Sequence, residues 1–168
     1  MQEFTNCEQY IIKTHYKDHC EIGDLYVLIS PKGIRGLFWQ AFPAPILTKT
    51  QPASLIKKVE EFVEGYLQGK TNIHSLPMDL QGSDFQKKVW QEVLKIPYGQ
   101  TQSYQQIATQ IGLPKGARAV GTAIGKNPVC LLVPCHRVIS ADGSLGGFSG
   151  GLEIKKKLLQ LERVPDFI

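Results

Sequence analysis

The chain has 168 residues, of which 42% are hydrophobic and 20% are charged, as in one globular domain or two small ones. Its 19 Lys and Arg against 15 Asp and Glu give a net charge of +4, which favours polyanionic partners only mildly. This composition excludes a disordered chain, and four cysteines are too few for a fold built on disulfides. The sequence contains no apolar stretch near the ~20 residues needed to span a bilayer. Because MQEFTNCEQY also lacks a signal-peptide pattern, we expect a cytoplasmic protein with no membrane partner.

The first forty residues predict a small antiparallel sheet. Residues that favour strands cluster in YIIKTHY and DLYVLIS, and the turn SPKG separates the second stretch from IRGLFWQAF. Residues 53–67 then place apolar side chains at helical spacing until Gly69 ends the helix. One helix beside one sheet indicates an α/β lobe.

A turn-rich stretch from 72 to 82, with Pro77 inside it, is the predicted boundary between two lobes. We therefore predict an N-terminal domain over 1–78 and a mostly helical domain over 79–168. The overall class is α/β (α+β).

The second half contains three predicted helices. Ser83 or Asp84 caps the first, which ends at Pro97, and Ser103 caps the second over YQQIATQI. The third runs from about Gly116 to Gly125. Helices two and three, joined by a glycine-containing turn, have the sequence shape of a helix-turn-helix, although helical hairpins also occur in cores.

The third helix, GARAVGTAIG, carries almost no side-chain bulk on one face, from which Arg118 projects. Glycine in a helix costs roughly 1 kcal/mol relative to alanine, so its repeated use needs a reason. Close packing against another helix is one reason. Close approach to a flat partner such as a DNA groove is the other.

The stretch LLVPCHRVIS sets a cysteine beside a histidine and an arginine in an apolar run. We interpret it as the end of a strand that presents Cys135 to a site, since a neighbouring base favours the reactive thiolate. His136 would reach the thiol through a water or through a turn begun by Pro134, and Glu153 or Glu162 of the final helix would orient the imidazole. A buried inert cysteine is the alternative interpretation.

Two flanking motifs favour a site at this cysteine. Asn127, in GKNPV, has a side chain that can bridge turns. The glycine-rich loop DGSLGGFSGG can bring backbone N–H groups close to a ligand, without the signature of a phosphate loop.

These motifs together resemble the O6-alkylguanine-DNA alkyltransferase family: NPVCLLVPCHRVI followed by GFSGG, with SYQQIA and RAVGTAIGKNP upstream. The resemblance is dense over residues 83–162 and loose over the first eighty. It implies a ribonuclease-H-like N-terminal lobe and direct-reversal repair of double-stranded DNA. The alkyl group of O6-alkylguanine would pass irreversibly to the protein, once per molecule, after the damaged nucleotide is flipped. It implies no cofactor and a monomer, with cooperative assembly on DNA and activity on O4-alkylthymine left open.

The resemblance also implies catalytic roles for five residues. Cys135 would be the nucleophile, His136 its water-mediated base and Glu162 the acceptor that holds the imidazole. Asn127 would brace the turn behind the thiol. Tyr104 would help to rotate the nucleotide out and donate a proton to the departing base.

The DNA-binding residues and the guanine pocket follow from the same resemblance. Arg118 would enter the base stack in place of the flipped nucleotide. The other DNA-contacting residues would be Tyr104, Gln105, Gln86, Ala119 and Gly121. The substrate pocket would be formed by Val138, Ser140, Ser149, Phe148, Gly146 and Ile124. Ser149 would donate toward the O6 position.

The sequence departs from the family pattern at two places. Cys130 stands where the family often has proline, which affects the rim of the pocket. A structural zinc on Cys7, Cys20 and His74, with His15 and His19 nearby, is an alternative to a metal-free protein, but the spacing is irregular for a tetrahedral site. We therefore predict no metal.

Three alternative functions can be distinguished from alkyl transfer, each by a different property. A cysteine hydrolase would turn over esters or amides, and a helix-turn-helix transcription factor would bind specific sequences as a dimer. A non-enzymatic alkyltransferase-like protein would lack the nucleophile, and Cys135 is present.

Overall fold

A computed structural model describes four stretches of the chain: 7–12, 22–40, 53–70 and 76–167. The chain divides into two compact units, Met1–Leu80 and Gln81–Ile168. Helices and small sheets are present in both halves, so the predicted mixed α/β class is confirmed. The ribonuclease-H-like description of the first lobe stays a prediction.

The first unit contains an antiparallel sheet, as the sequence predicts, and its strand order is β1-β2-β3. Its strands are β1 (Glu8–Ile12), β2 (Leu25–Ser30) and β3 (Gly33–Phe38). β2 is almost wholly buried, which explains its run of Leu, Val and Ile. Helix α1 (Ala53–Leu67) has the predicted bounds and buries the predicted apolar stripe, and Gly69, at φ 72°, follows its last turn.

A buried carboxylate fastens the end of this unit to its sheet. The amide of Ile34 donates to the carbonyl of Pro77 and the amide of Asp79 to that of Ile34, each at 2.8 Å. Asp79 Oδ2 accepts from Ser30 Oγ at 2.6 Å and from Arg35 Nη2 at 2.9 Å. The segment around Pro77 is thus held by both backbone and side-chain bonds.

The second unit begins with three helices that pack together: α2 (Asp84–Val93), α3 (Tyr104–Gln110) and α4 (Ala117–Gly125). Ser83 and Ser103 cap α2 and α3, each in a capping box with the glutamine three residues on. Trp90 Nε1 donates to the carbonyl of Ala123 at 2.9 Å, which ties α2 to α4. The predicted caps at Ser83 and Ser103 are confirmed, and α3 and α4 pack against each other, while the helix-turn-helix stays a prediction.

The predicted end of α2 at Pro97 is three residues too late. Leu94 caps the helix, and the amides of Lys95 and Ile96 then bond to carbonyls three residues back. Proline disfavours the helical conformation in the residue before it, so the chain tightens into a turn before reaching Pro97.

The rest of this unit carries the cysteine motif. Two-residue strands β4 (Gln102–Ser103) and β5 (Val138–Ile139) pair in parallel, and α5 (Leu152–Leu161) follows the glycine-rich loop. Among the described helices, none combines the length and the apolar character that a membrane crossing requires.

Candidate active site

Cys135 lies in a turn, and the prediction that it ends a strand is wrong. Cys135–Arg137 form one turn of 3₁₀-helix with Pro134 at its N-cap, and the strand begins only at Val138. The chain reaches this turn irregularly, since Leu131 has a φ of 68°. Apolar composition favoured a strand, but the left-handed residue and Pro134 interrupt it. The turn begun by Pro134, one of the two routes considered between His136 and the thiol, is present.

Asn127 holds the loop that leads to Cys135. Its Nδ2 donates to the carbonyl of Val133 at 2.9 Å, and its Oδ1 accepts from the amide of Val129 at 3.0 Å. Since the side chain is buried, these bonds replace ones that water would otherwise make. The amide side chain thereby closes the loop, as predicted for a residue that bridges turns.

Glu162 holds both residues that follow the cysteine. Its Oε1 lies 2.7 Å from His136 Nε2, while Arg137 donates to both carboxylate oxygens at 2.9 to 3.1 Å. The amide of Gly99 donates to Oε2 at 3.0 Å. Burial alone would raise the pKa of Glu162, but the bonds from His136 and Arg137 lower it to about 2. The carboxylate is therefore ionised, and Glu153, the alternative partner, is exposed.

His136 is fully buried and neutral at physiological pH. Burial lowers its pKa below the ordinary value of 6.5, against the opposing effect of Glu162. An ionised carboxylate only accepts hydrogen bonds, so Nε2 must carry the imidazole proton. Glu162 thus selects the tautomer whose Nδ1 lone pair can act as a base.

The Cys135 thiol contacts a second thiol. Its Sγ lies 3.9 Å from Sγ of Cys130, which in turn lies 3.4 Å from Oγ of Ser149. The hydrogen bond between Cys135 and Cys130, followed by the one with Asn127 and by the charge of Lys155, lowers the pKa of Cys135 against the effect of burial. An inert buried thiol in apolar surroundings has a raised pKa, so this environment differs from that alternative.

A pocket of about 670 Å³ opens between the helices α3 and α4 and the glycine-rich loop. It is lined by Tyr104, Gln105, Ala117, Arg118, Gly121, Thr122, Ile124, Gly125, Ser140, Ala141, Gly147, Phe148 and Ser149. Eight of these residues were predicted site residues. Ser149 connects the pocket to the thiols through its contact with Cys130.

The lining does not include the predicted catalytic residues Cys135, His136, Glu162 and Asn127, and four residues predicted to bind DNA or to form the pocket also lie outside it. Gln86 makes the capping box of α2, and Ala119 is exposed on α4. Val138 is buried in β5. Gly146, at φ 66°, lies against Tyr104, where an added Cβ would come within 2.8 Å of the phenol oxygen. Gly146 therefore shapes the position of the tyrosine ring.

Tyr104 lies at the start of α3 and reaches the glycine-rich loop. Its hydroxyl donates to the carbonyl of Gly147 at 3.5 Å. Burial raises the pKa of the phenol, and the negative charge of Cys135 raises it further. The phenol therefore keeps its proton beside an ionised thiol.

Comparisons with known proteins agree on one family. A sequence model described as "6-O-methylguanine DNA methyltransferase, DNA binding domain" matches residues 84–164. A methylated-DNA–protein-cysteine methyltransferase of Mycobacterium bovis is 50% identical over 101 residues, which are 60% of this chain and 61% of that protein. The inducible enzyme of that name from Bacillus subtilis is 44% identical over 144 residues, 84% of this chain and 79% of the relative.

The chain belongs to the methylated-DNA–protein-cysteine methyltransferase family. The structural comparison extends to nearly the whole chain: a crystal structure titled "Mycobacterium tuberculosis OGT in complex with DNA" superposes with a TM-score of 0.77. Sequence identity is 37%, and the match covers 93% of this chain and 92% of that one. The predicted family is thus confirmed, while the match spans only about three-fifths of the mycobacterial relative's length.

In this family member, Lys155 is a site residue that sequence reasoning missed. Its ammonium group donates to the carbonyls of Val138 at 2.6 Å, Leu145, and Gly147 at 3.3 Å. Burial lowers its pKa to about 8. A signal was available: Lys155 shares the buried face of α5 with Leu158, Leu159 and Glu162 at helical spacing.

Arg137 is a second site residue that sequence reasoning missed. Besides its bonds to Glu162, its Nη1 donates to the carbonyl of Ile96 at 2.7 Å, and its guanidinium stacks 5.7 Å from the centre of the Tyr98 ring. Its partners Ile96 and Glu162 lie 41 and 25 residues away along the chain, so no local pattern reveals these contacts.

The zinc alternative cannot be assembled from the residues that the structure describes. In that part of the chain no group of three or more His, Cys, Asp or Glu could hold a metal ion. Cys7 is buried beside Arg35, whose positive charge disfavours a cation there. The other candidates, Cys20, His74, His15 and His19, lie outside the described residues.

Proposed function

We propose that the chain repairs double-stranded DNA by moving the alkyl group of O6-alkylguanine onto Cys135. The observation that carries this proposal is the buried contact between Glu162 and His136, which lies directly beside Cys135 in the chain. The Cys135 thiol contacts Cys130, Cys130 contacts Ser149, and Ser149 lines the pocket. The curated relatives bear the name of this reaction, which supports the assignment.

Deprotonation of Cys135 starts the proposed reaction. The thiol proton passes through a water to Nδ1 of His136, since Glu162 already engages Nε2. Asn127 and Lys155 favour the resulting thiolate. This assignment gives His136 the role of base and Glu162 the role of positioning residue.

The thiolate then attacks the alkyl carbon in line with its bond to O6 of guanine. A carbon–sulfur bond forms as the carbon–oxygen bond breaks, and the electron pair stays on the departing base. The Tyr104 phenol supplies a hydrogen bond or a proton to that base. The Ser149 hydroxyl, which has a single proton to donate, turns toward O6 as the thiolate is consumed. Since a thioether has no route back under ambient conditions, each protein molecule reacts once.

The damaged base must leave the helix before this attack, because an O6-alkyl group cannot be reached inside the stack. Arg118 is exposed on α4 among small residues and lines the pocket, which suits insertion into the base stack. Tyr104 and Gln105 lie at the start of α3, also in the pocket lining. We assign Gln86, Ala119 and Gly121 to the surrounding DNA contact, with the minor groove as the docking site.

Residues 79–168 form the DNA-binding and alkyl-transfer domain and 1–78 a separate lobe. The protein acts as a cytoplasmic monomer without a cofactor. Ile124, Val138, Gly146 and Phe148 shape the substrate pocket with Ser140 and Ser149.

The decisive experiment is an intact-mass measurement after incubation with a duplex carrying one O6-methylguanine. We expect a gain of one methyl per protein, mapped to Cys135 by peptide sequencing, and none in Cys135→Ser, which should still bind the duplex. Cys7→Ser is the matched control and should be methylated normally. An unchanged mass with the lesion still in the DNA would refute the proposal, and turnover of esters would then indicate a cysteine hydrolase. A parallel duplex with O4-methylthymine tests the second substrate.

A further inference from the structure

Cys130 occupies a position between the nucleophile and the pocket. It is fully buried, and its Sγ lies 3.9 Å from Sγ of Cys135. On its other side Ser149 Oγ lies 3.4 Å away, and Ser149 lines the pocket. The three side chains therefore form one continuous row from the pocket to the reactive sulfur.

The direction of the hydrogen bonds in this row follows from the state of Cys135. A thiolate has no proton to give, so the Cys130 thiol must donate when Cys135 is ionised. With its only proton directed at Cys135, Cys130 can only accept from Ser149. The row then runs from the Ser149 hydroxyl through Cys130 to the thiolate.

Cys130 is also the sulfur that keeps its proton. Its bond to Cys135, together with burial, raises the pKa of Cys130 well above the ordinary value of 9.0, whereas the pKa of Cys135 is lowered. A donor matters most here because water reaches little of Cys135, which is 4% exposed. An unsupported thiolate in such a place would carry a large desolvation cost.

We propose that Cys130 is a positioning residue that holds Cys135 as a thiolate by donating its S–H to it, and that Ser149 supports Cys130 from the pocket. The consequence for DNA repair rests on the proposed function, but the hydrogen bond can be tested without DNA. A proline at position 130 would have neither a side-chain donor nor an acceptor. In this chain the thiol thus supplies a bond that the residue common in the family cannot.

Other ionisable groups also face Cys135 and must be kept constant in the test. They are Lys155 of α5, Tyr104 of α3 and the adjacent His136. None of them is changed in the variants below, so a difference between variants reports on the row of Ser149, Cys130 and Cys135.

The test follows the rate at which iodoacetamide alkylates Cys135 in the full-length chain as pH is varied, with the site identified by peptide mass. We expect Cys130→Ala to move the midpoint of this profile upward by about one pH unit, because a donor to the charged form is lost. Cys130→Ser keeps a donor and should restore a midpoint close to that of the unchanged protein. Ser149→Ala should shift the midpoint in the same direction as Cys130→Ala but by less.

A double-variant comparison checks that the two residues act in one row. Ser149→Ala should add little once Cys130 is alanine, because the link to Cys135 is already broken. An unchanged midpoint in Cys130→Ala, or equal midpoints in Cys130→Ala and Cys130→Ser, would overturn the proposal. Should Cys130→Ala fail to fold, Ser149→Ala decides, since that side chain is exposed, and no shift there would overturn it. If the midpoints shift as expected but no methyl leaves the DNA, the proposed function fails and the role of Cys130 stands.

Discussion

The second unit contains two regions of opposite construction. The first, which we call the charged floor, consists of Glu162, His136, Arg137 and Lys155, buried or nearly so and bonded to one another or to backbone carbonyls. The second is the pocket, whose α4 lining consists mainly of small or exposed residues. Apart from its chain neighbours and the backbone of its own helix, an added Cβ at Gly125 would meet nothing within 4 Å.

The contrast separates two kinds of contribution. The charged groups of the floor are bonded to partners that water cannot replace. A substitution there should therefore lower the free energy of unfolding and also change the reactivity of the Cys135 thiol. Residues of the pocket have few partners inside the protein, so a change there affects what the pocket binds. Stability and the reactivity of the thiol should therefore respond together to floor variants. Variants of pocket residues other than Ser149 should leave the reactivity of the thiol unchanged and should change the unfolding free energy by at most about 1 kcal/mol.

The largest effect is expected from Glu162→Gln. The substitution leaves the charge of Arg137, whose side chain is 11% exposed, without its carboxylate. Breaking a buried ion pair typically costs about 3–5 kcal/mol. His136 also loses the carboxylate that selects its tautomer, so alkylation of Cys135 should slow. Urea unfolding and the iodoacetamide rate measure the two effects.

Asp79→Asn is the matched control, because Asp79 is also a buried carboxylate bonded to an arginine, Arg35, but in the first unit. It should lower stability while leaving the alkylation rate of Cys135 unchanged. Equal slowing of Cys135 in both variants would mean that the floor acts only through global stability.

The same carboxylate predicts how stability depends on acid. Glu162 has a folded-state pKa of about 2, against an ordinary value of 4.5. As pH falls the unfolded chain takes up this proton first, so the contribution of the ionised group is present above about pH 5 and is lost toward pH 2. Unfolding free energies measured across this range should fall less steeply in Glu162→Gln. Parallel slopes would show that other groups govern acid unfolding.

Local chemistry explains which parts could be predicted from sequence. Helix starts depend on caps such as Ser83 and Ser103, which act within a few residues, and α1 depends on its local apolar stripe. These features could therefore be predicted from the amino-acid sequence. The turn at Cys135 could not, because an apolar run favours a strand and nothing local reveals the φ of Leu131. The floor needs contacts such as that between Gly99 and Glu162, 63 residues apart, which no local pattern predicts. The resemblance supplied Glu162 but not Lys155.

A smaller decrease in the free energy of unfolding is expected for Lys155→Met, which removes the second cation of the floor. Three backbone carbonyls lose a charged donor, and each such bond contributes about 1.5–3 kcal/mol, partly offset because the ammonium group no longer has to be buried. We expect a net destabilisation of about 1–3 kcal/mol and a higher midpoint for Cys135 alkylation. The exposed neighbour Lys156, changed to Met, should show neither effect. A neutral result for Lys155→Met would remove it from the floor.

Arg118→Ala tests the pocket side of the comparison. The side chain is exposed, so unfolding free energy should change by less than about 0.5 kcal/mol. Repair of a duplex should slow by on the order of tenfold, while reaction with the free alkylated base should hardly change, because only the duplex demands extrusion. Lys32→Ala, an exposed cation of the first unit, controls for net charge. Equal slowing with both substrates would assign Arg118 a role other than extrusion.

Gly121→Ala carries the smallest effect on stability, and it resolves why α4 contains so little bulk. An added Cβ would lie 3.7 Å from the Tyr104 ring, an ordinary contact, so packing inside the protein does not require glycine there. Helix propensity alone should raise stability by about 0.5–1 kcal/mol. If the small face exists to approach DNA, duplex repair should nevertheless slow while the free-base reaction is kept. Gly146→Ala, strained by its φ and by contact with Tyr104, should instead lose stability. If Gly121→Ala is more stable and equally active on duplex, neither packing inside the protein nor approach to DNA requires a glycine at position 121. The pocket would then accommodate the added methyl group.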